Sequence, residues 1–368
     1  MIYERFSGPS RVKAVFYAVA ATLVAAAAFF VYRNAADALV VLDRADLRMN
    51  TLATISVEAP RKTAEEALEA SFSLLEALDD ALSRYKKGSD VSNVNESSGG
   101  SPVRVSADTA ALLRAALEIA EKTGGCFDPT VGPLTDLWRI LPREGEEWVF
   151  PSEKQAAAAR GLVDYRGLSV DHPFVRLRAK GAALDLGGIA KGYAADKVAE
   201  LCKARGVRSA LLDLGGNLLI LGTRSREAPW RLGIRHPLKD KNSILCSLEF
   251  DLAPGETMSL ATSGSYERFR EVGGKRLSHV FDPRTGLPVE TSLLSVSVID
   301  PCSARADALA TAFLVMGEEK AREALSGFPA TDAVFVRLED NGEITASLTR
   351  GLRKHLKFTD SATAFAIY

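Results

Sequence analysis

The 368-residue chain has little cysteine, little histidine and almost no net charge, and each shortage removes a class of function. Its four cysteines, Cys126, Cys202, Cys246 and Cys302, stand 44 residues or more apart, so no pair has metal-finger spacing. Four in a chain this long do not make a disulfide framework either, and they read as buried or incidental thiols. With 46 basic residues against 47 acidic ones the formal charge is -1. That balance gives no reason to expect the concentrated basic surface of a nucleic-acid binder, and it permits a local basic pocket for a phosphate. No GxGxxG segment occurs, which argues against a dinucleotide-binding redox enzyme. After residue 40 there is no internal repeat and no Pro-rich or low-complexity hinge. The length and the ordinary composition, 47% hydrophobic and 25% charged, then favour one compact α+β body over two linked domains.

One long apolar run is present. Ala14 to Tyr32 is free of charge over 19 residues, and as a helix it covers close to the ~30 Å hydrocarbon core of a bilayer. Arg5, Arg11 and Lys13 precede it against a single Glu4, so residues 1–13 are expected in the cytoplasm and the body on the exported side. We expect an uncleaved transmembrane anchor at 14–32 followed by a domain at 40–368. A cleaved signal peptide, cut near Asn34 to Ala38, is the alternative, and the length of the run argues against it. No cysteine follows the run closely enough for lipid attachment.

Periodicity outlines the body. Asp46 to Val57 alternates as one strand, and Thr63 to Tyr85 carries Leu68, Phe72, Leu75, Leu78 and Leu82 at helical spacing, stopped by Lys86-Lys87-Gly88. Ser89 to Pro102 reads as a loop, and Ala107 to Thr123 as a helix ended by Gly124-Gly125. Pro142 to Pro151 reads as a polar connection and Lys154 to Ala159 as helical. Val175 to Leu184 is expected to be a strand pair turned at Lys180-Gly181. Ala190 to Arg205 and Ala304 to Met316 follow as helices, with strands at Ser209 to Leu214 and Leu294 to Ile299.

Five segments hold the residues suited to chemistry. Leu184-Asp-Leu-Gly-Gly-Ile-Ala-Lys-Gly-Tyr193 predicts a strand ending in Asp185, a glycine turn and a helix start. Such a turn lets backbone approach a ligand, the helix N-terminus favours an anion, and Lys191 in the first turn can reach a phosphate. Ala210-Leu-Leu-Asp-Leu-Gly-Gly-Asn217 repeats the Asp-Leu-Gly-Gly tetrapeptide 28 residues on. Gly124 to Leu134 is a helix exit into a structured loop. Leu260-Ala-Thr-Ser-Gly-Ser-Tyr266 and Ser278-His-Val-Phe-Asp-Pro-Arg-Thr-Gly286 are glycine-bearing hydroxyl loops, the second with His279, one of only four histidines. Histidine titrates near neutral pH and suits proton transfer. In Ala306-Asp-Ala-Leu-Ala-Thr-Ala312, Asp307 and Thr311 are four apart and share a helix face, a plausible pair of oxygens for a hard cation. Each segment alone is equally compatible with an ordinary turn, cap or strand end.

Together and in this order, over residues 46 to 316, DLGGIAKGYAAD, LLDLGGN, ATSG, SHVFDPRTG and ADALATA resemble the ApbE family, the FAD:protein FMN transferases. The resemblance implies an ApbE-like (T-fold-like) body of mixed, largely antiparallel sheets with packed helices. It implies Mg²⁺-dependent attack by a threonine or serine hydroxyl of an acceptor protein on the FMN-side phosphorus of FAD, with AMP as leaving group. The positions similar to the family's metal ligands are Asp307, Thr311, the Gly188 carbonyl and Ala310, which has no carboxylate where some members have an acid. Those similar to its FAD contacts are Met49, Tyr85, Cys126, Phe127, Asp128, Asp185, Lys191 and Phe281. Asn50 stands where the family usually has glycine. His279 is the candidate general base and Asp282 its rival. The implied acceptor is a flavoprotein subunit of a membrane electron-transfer system, and the implied location is the exported face of a bacterial inner membrane. An FAD pyrophosphatase giving FMN and AMP, or a non-catalytic flavin-binding protein, would carry much the same motifs.

Overall fold

A computed structural model describes residues 16–17, 19–20, 22–24, 38–140, 148–224, 228–240, 242–265, 269–272, 274–361 and 363–368. The expected anchor at 14–32 and the connection at 142–151 lie largely outside these residues. Within the former, residues 16–17, 19–20 and 22–24 are helical. No helix among the described residues is long and apolar enough to cross a membrane.

In chain order the elements are β1 (Leu39–Arg48), β2 (Thr51–Pro60), α1 (Arg61–Leu82), α2 (Asp90–Glu96), β3 (Val103–Arg104), α3 (Ala107–Lys122), α4 (Gly132–Trp138), α5 (Glu153–Arg160), β4 (Leu168–Asp171), β5 (Phe174–Leu177), α6 (Ala190–Ala204), β6 (Ser209–Leu214) and β7 (Asn217–Gly222). There follow β8 (Trp230–Arg235), β9 (Ile244–Phe250), β10 (Thr257–Gly264), β11 (Phe269–Val272), β12 (Lys275–Ser278), β13 (Phe281–Asp282), β14 (Leu287–Pro288), β15 (Leu293–Asp300), α7 (Ser303–Met316), α8 (Glu318–Ala324), β16 (Asp332–Leu338), β17 (Ile344–Leu348), β18 (Leu356–Thr359) and β19 (Ala364–Ile367).

Nine strands form the central sheet in the order β1-β2-β6-β7-β10-β15-β16-β17-β19, antiparallel except where β19 joins β17. The middle strands are apolar on both faces, so both faces are covered. Leu219, Val296, Val298 and Phe335 face a core shared with α1, α3, α6 and α7. Ile220, Leu260, Ile299, Val334 and Val336 face a second core under the small β18-β9-β8 sheet. The result is a three-layer α+β body with mixed sheets, as the motifs implied.

Three local expectations are corrected. Asp46 to Val57 is not one strand: β1 and β2 are a hairpin whose ten paired positions close on Met49 and Asn50, at φ 51° and 58°. Asparagine tolerates this left-handed region, and alternation across the two strands hides a two-residue turn. Val175 to Leu184 is not a strand pair, because β5 ends at Leu177 and pairs with β4 and β3. Beyond Lys180-Gly181 only Ala183 makes a bridge, parallel to Val131, so Asp185 leaves an irregular segment and not a strand. The loop Ser89 to Pro102 contains α2, capped by Ser89 Oγ accepting from Ser92 N at 2.9 Å.

The sheet topology collects one end of the fold. Antiparallel pairing brings the Met49-Asn50 turn, the Gly215-Gly216 turn between β6 and β7, the C-terminus of β10 and the start of β15 to the same edge. α7 lies over β10 and β15 and against α6. Its N-terminus is capped in trans: Asp196, in the GYAAD stretch of α6, accepts from Ser303 N at 2.8 Å, Ala304 N at 2.9 Å and Cys302 Sγ at 3.4 Å. The cysteines are free, three of them buried, as expected. Replacing Asp196 by Ala leaves those donors without their acceptor, and we expect a loss of about 1–2 kcal/mol in chemical denaturation, as for a helix cap. A change below a few tenths would show that the cap does not hold α7.

Candidate active site

The Asp-Leu-Gly-Gly turn before α6 sits where several segments meet. Asp185 N donates to Pro129 O at 2.8 Å and Gly132 N to Ala183 O at 3.0 Å, so the loop after α3 runs alongside residues 183–185. Gly188 faces two side chains: a Cβ there would lie 3.3 Å from both Phe127 Cε2 and Thr311 Oγ1. Only glycine leaves that space open. α6 begins at Ala190 with no cap from its own N-cap residue, Ile189, and a helix N-terminus favours an anion.

On α7, Asp307 and Thr311 do share a face. The Asp307 carboxylate is nearly buried; its Oδ2 accepts from Gly192 N at 3.0 Å and lies 3.8 Å from Lys191 Nζ. Lys191 also donates to Gly187 O at 3.3 Å, so its ammonium bridges the glycine turn and α7. Thr311 Oγ1 lies 3.1 Å from Ser263 Oγ of the ATSG segment. Ala310 is fully buried and adds no carboxylate. One carboxylate, hydroxyls and backbone oxygens form a hard-cation donor set. Among the described residues no group of three or more His, Cys, Asp or Glu is placed to hold a metal by itself. Mg²⁺ is commonly held through one or two carboxylates together with substrate phosphates, and Asp307 would supply one carboxylate.

The predicted flavin contacts divide. Met49 packs on the main core at the hairpin turn, and Tyr85, just past α1, is 65% exposed, as a ring that covers a ligand must be. Phe127 is buried against Gly188. Asp128 is committed elsewhere: Oδ1 accepts from Thr130 N at 2.7 Å and Thr130 Oγ1 at 2.6 Å, and Oδ2 from Tyr165 N at 3.0 Å. Burial pushes its carboxyl up, against those bonds. Asp128 thus shapes the loop that carries Cys126 and Phe127. Burial also raises the Cys126 thiol, while Arg284 lowers it and Asp282 raises it.

Asp282 Oδ1 accepts from Arg284 N at 2.9 Å and Arg284 Nε at 2.8 Å, and Oδ2 from Arg284 Nη2 at 2.7 Å. This forked pair occupies both oxygens of the rival base. His279 lies between β12 and β13, partly exposed, while Phe281 points into a satellite core with Leu134, Trp138 and Ile140.

Sequence reasoning missed one cluster. Asp185 Oδ2 accepts from Arg84 Nη1 at 2.9 Å and from Thr135 Oγ1 at 2.9 Å, while Arg84 Nη2 donates to Asp136 at 2.7 Å. Arg84, Thr135 and Asp136 belong to no glycine motif. Their one signal is position, beside Tyr85 and just after the Gly124 to Leu134 loop.

Known proteins resemble this chain over most of its length. The ApbE family model matches residues 49–335. A FAD:protein FMN transferase of Treponema pallidum is 38% identical over 312 residues, 80% of this chain and 83% of that protein. The protein of the same name from Escherichia coli K12 is 36% identical over 266 residues, 71% of this chain and 74% of that one. The crystal structure of the Pseudomonas stutzeri flavinyl transferase ApbE superimposes with a TM-score of 0.75 at 30% identity, covering 86% of this chain and 97% of that one. The chain is therefore an enzyme of the ApbE family.

Proposed function

We propose that the chain, a FAD:protein FMN transferase, binds FAD with Mg²⁺ at the Gly187-Gly188 turn and passes FMN to a threonine or serine hydroxyl of an acceptor protein. The observation that carries this reading is that Asp307, Thr311, Gly188 and Lys191 lie together, bringing one carboxylate, hydroxyls and one ammonium to the glycine turn. In the reaction the acceptor oxygen forms a bond to the FMN-side phosphorus, the bond from that phosphorus to the bridging pyrophosphate oxygen breaks, and AMP leaves. The hydroxyl proton passes to a base on the enzyme.

Phosphoryl-type transfer asks for positioning and charge neutralisation more than for covalent help. Asp307, Thr311 and the carbonyls of Gly188 and Ala310 would hold Mg²⁺, which when bound supplies charge neutralisation at the pyrophosphate. Lys191, 3.8 Å from Asp307, is within reach of a phosphate oxygen and would balance its charge. The N-terminus of α6 would favour the same oxygens through its helix dipole. Tyr85 and Phe127 cover the flavin, with Met49 and Cys126 as its further contacts, Asp128 and Asp185 shape the loops around it, and Phe281 stays in its satellite core. His279 takes the hydroxyl proton. Asp282, forked on Arg284, orients the loop carrying that histidine and remains the rival base.

The acceptor in this reading is an exported flavoprotein subunit of a membrane electron-transfer system. The enzyme is held by residues 14–32 in a bacterial inner membrane with its body outside the cytoplasm. A hydrolase would release AMP from FAD and Mg²⁺ with no acceptor present. Rapid acceptor-free release, at a rate matching that with acceptor, would replace the transfer reading.

Four outcomes follow from the site. Chelation of divalent ions should abolish transfer and added Mg²⁺ restore it, and Asp307→Ala should lower the rate by about 100-fold or more, the scale of several kcal/mol of charge stabilisation. Mass spectrometry of the acceptor, scoring an FMN-sized gain, measures both. His279→Ala should slow transfer by about 100-fold; a rate within a few-fold of wild type would remove His279 as the base. Gly188→Val should fill the space between Phe127 and Thr311, destabilise the fold by about 1–3 kcal/mol and abolish FAD binding in the folded fraction. Retained FAD affinity would show that the pocket lies elsewhere.

A further inference from the structure

We infer that Arg84 is a positioning residue for FAD: its guanidinium forks between Asp136 and Asp185 and so fixes Tyr85 and the Gly187-Gly188 turn relative to one another. This rests on the reading of that turn as the FAD site. The Arg84 side chain is only 8% exposed, although it follows directly on α1 and precedes a tyrosine that is largely exposed. Nη1 donates to Asp185 at 2.9 Å and reaches Gly132 O at 3.4 Å, and Nη2 donates to Asp136 at 2.7 Å. The Arg84 Cζ lies 5.6 Å from the centre of the Tyr85 ring. A single planar cation thus lies beside the Tyr85 ring and bonds Gly132 and Asp136 of α4 together with the carboxylate that sets the glycine turn.

That carboxylate has few free directions left. Besides Arg84, Asp185 accepts from Thr135 Oγ1 at 2.9 Å through Oδ2 and from Gly187 N at 2.9 Å through Oδ1. Asp185 therefore transmits Arg84's position to Gly187, one residue before the glycine that faces Thr311. Burial works against the guanidinium's charge, but the two carboxylates outweigh it and hold Arg84 above the ordinary arginine range. The charge matters as well as the geometry. Without Arg84, Asp136 and Asp185 would present two uncompensated negative charges beside a turn meant for a pyrophosphate. A lysine at this position would keep a charge but has no rigid fork to serve both carboxylates.

The test compares Arg84→Ala, Arg84→Lys and Thr135→Val in the full chain, measuring the FAD Kd by flavin fluorescence, the KM and kcat of transfer, and the melting temperature. We expect Arg84→Ala to raise Kd and KM for FAD about ten-fold while kcat stays within about three-fold, the signature of lost uniform binding. Arg84→Lys should fall between Ala and wild type. A melting temperature that falls with Kd and KM unchanged within two-fold would make Arg84 a structural residue only and overturn the inference. If Arg84→Ala does not fold, Thr135→Val decides: it removes one donor to Asp185, and an unchanged Kd would be equally fatal. The Kd measurement does not depend on transfer. A wild-type enzyme that binds FAD but moves no FMN would therefore sink the transfer reading, while a normal wild type with an indifferent Arg84 variant would sink this one.

Discussion

The close crossing of α6 and α7 at Gly192 is the constraint on which the site depends. A Cβ on Gly192 would collide with the backbone of Ser303 and lie 2.8 Å from Ala304 Cα. Because it has none, the two helices approach until Gly192 N can donate to the Asp307 carboxylate. Eleven of the fourteen residues of α7 are buried, so a carboxylate on it must be partnered or stay out of water at high cost. Gly192 N provides one partner and Lys191 a counter-charge, and both come from the first turn of α6. Asp196, one turn further along, holds the N-terminus of α7 in register with them.

Electrostatics then separates two kinds of acid around the glycine turn. Asp307 faces one ammonium at 3.8 Å and one backbone donor, which leaves it able to serve a cation. Asp185 takes Arg84, Thr135 and Gly187, and Asp128 takes Thr130 and Tyr165, so both are spent on shaping backbone. The difference lies in the surroundings and not in the residue type. It leaves one carboxylate at the turn with an ammonium at 3.8 Å and a single backbone donor, and a cation bound there would depend on substrate phosphates for the rest of its shell.

Much of this was legible in the chain. Asp307 and Thr311 share a face because four residues are close to one helical turn, and the structure places them side by side against Ser263. The helices at 107–123, 190–205 and 304–316 follow their apolar periodicity closely. The Met49-Asn50 hairpin was not legible, since two strands of like alternation joined by two residues read as one, and only the pairing shows the turn. Arg84 was not legible either. A lone arginine after a helix reads as solvated, and its burial depends on Asp136 and Asp185, 52 and 101 residues away.

The sequence by itself determined the local chemistry: glycine turns, a helix start behind Gly188, an i and i+4 oxygen pair, and the order of motifs that marks the family. Those are properties of neighbours along the chain, set by backbone freedom and helical repeat. The tertiary structure alone decided which acids are spent and which are available. That choice is made by partners 52 to 115 residues distant, as between Arg84 and Asp136 or Gly192 and Asp307, brought together by a nine-stranded sheet buried on both faces. No local pattern encodes such a meeting, because the energy that enforces it comes from the burial of the layers and not from the residues that meet.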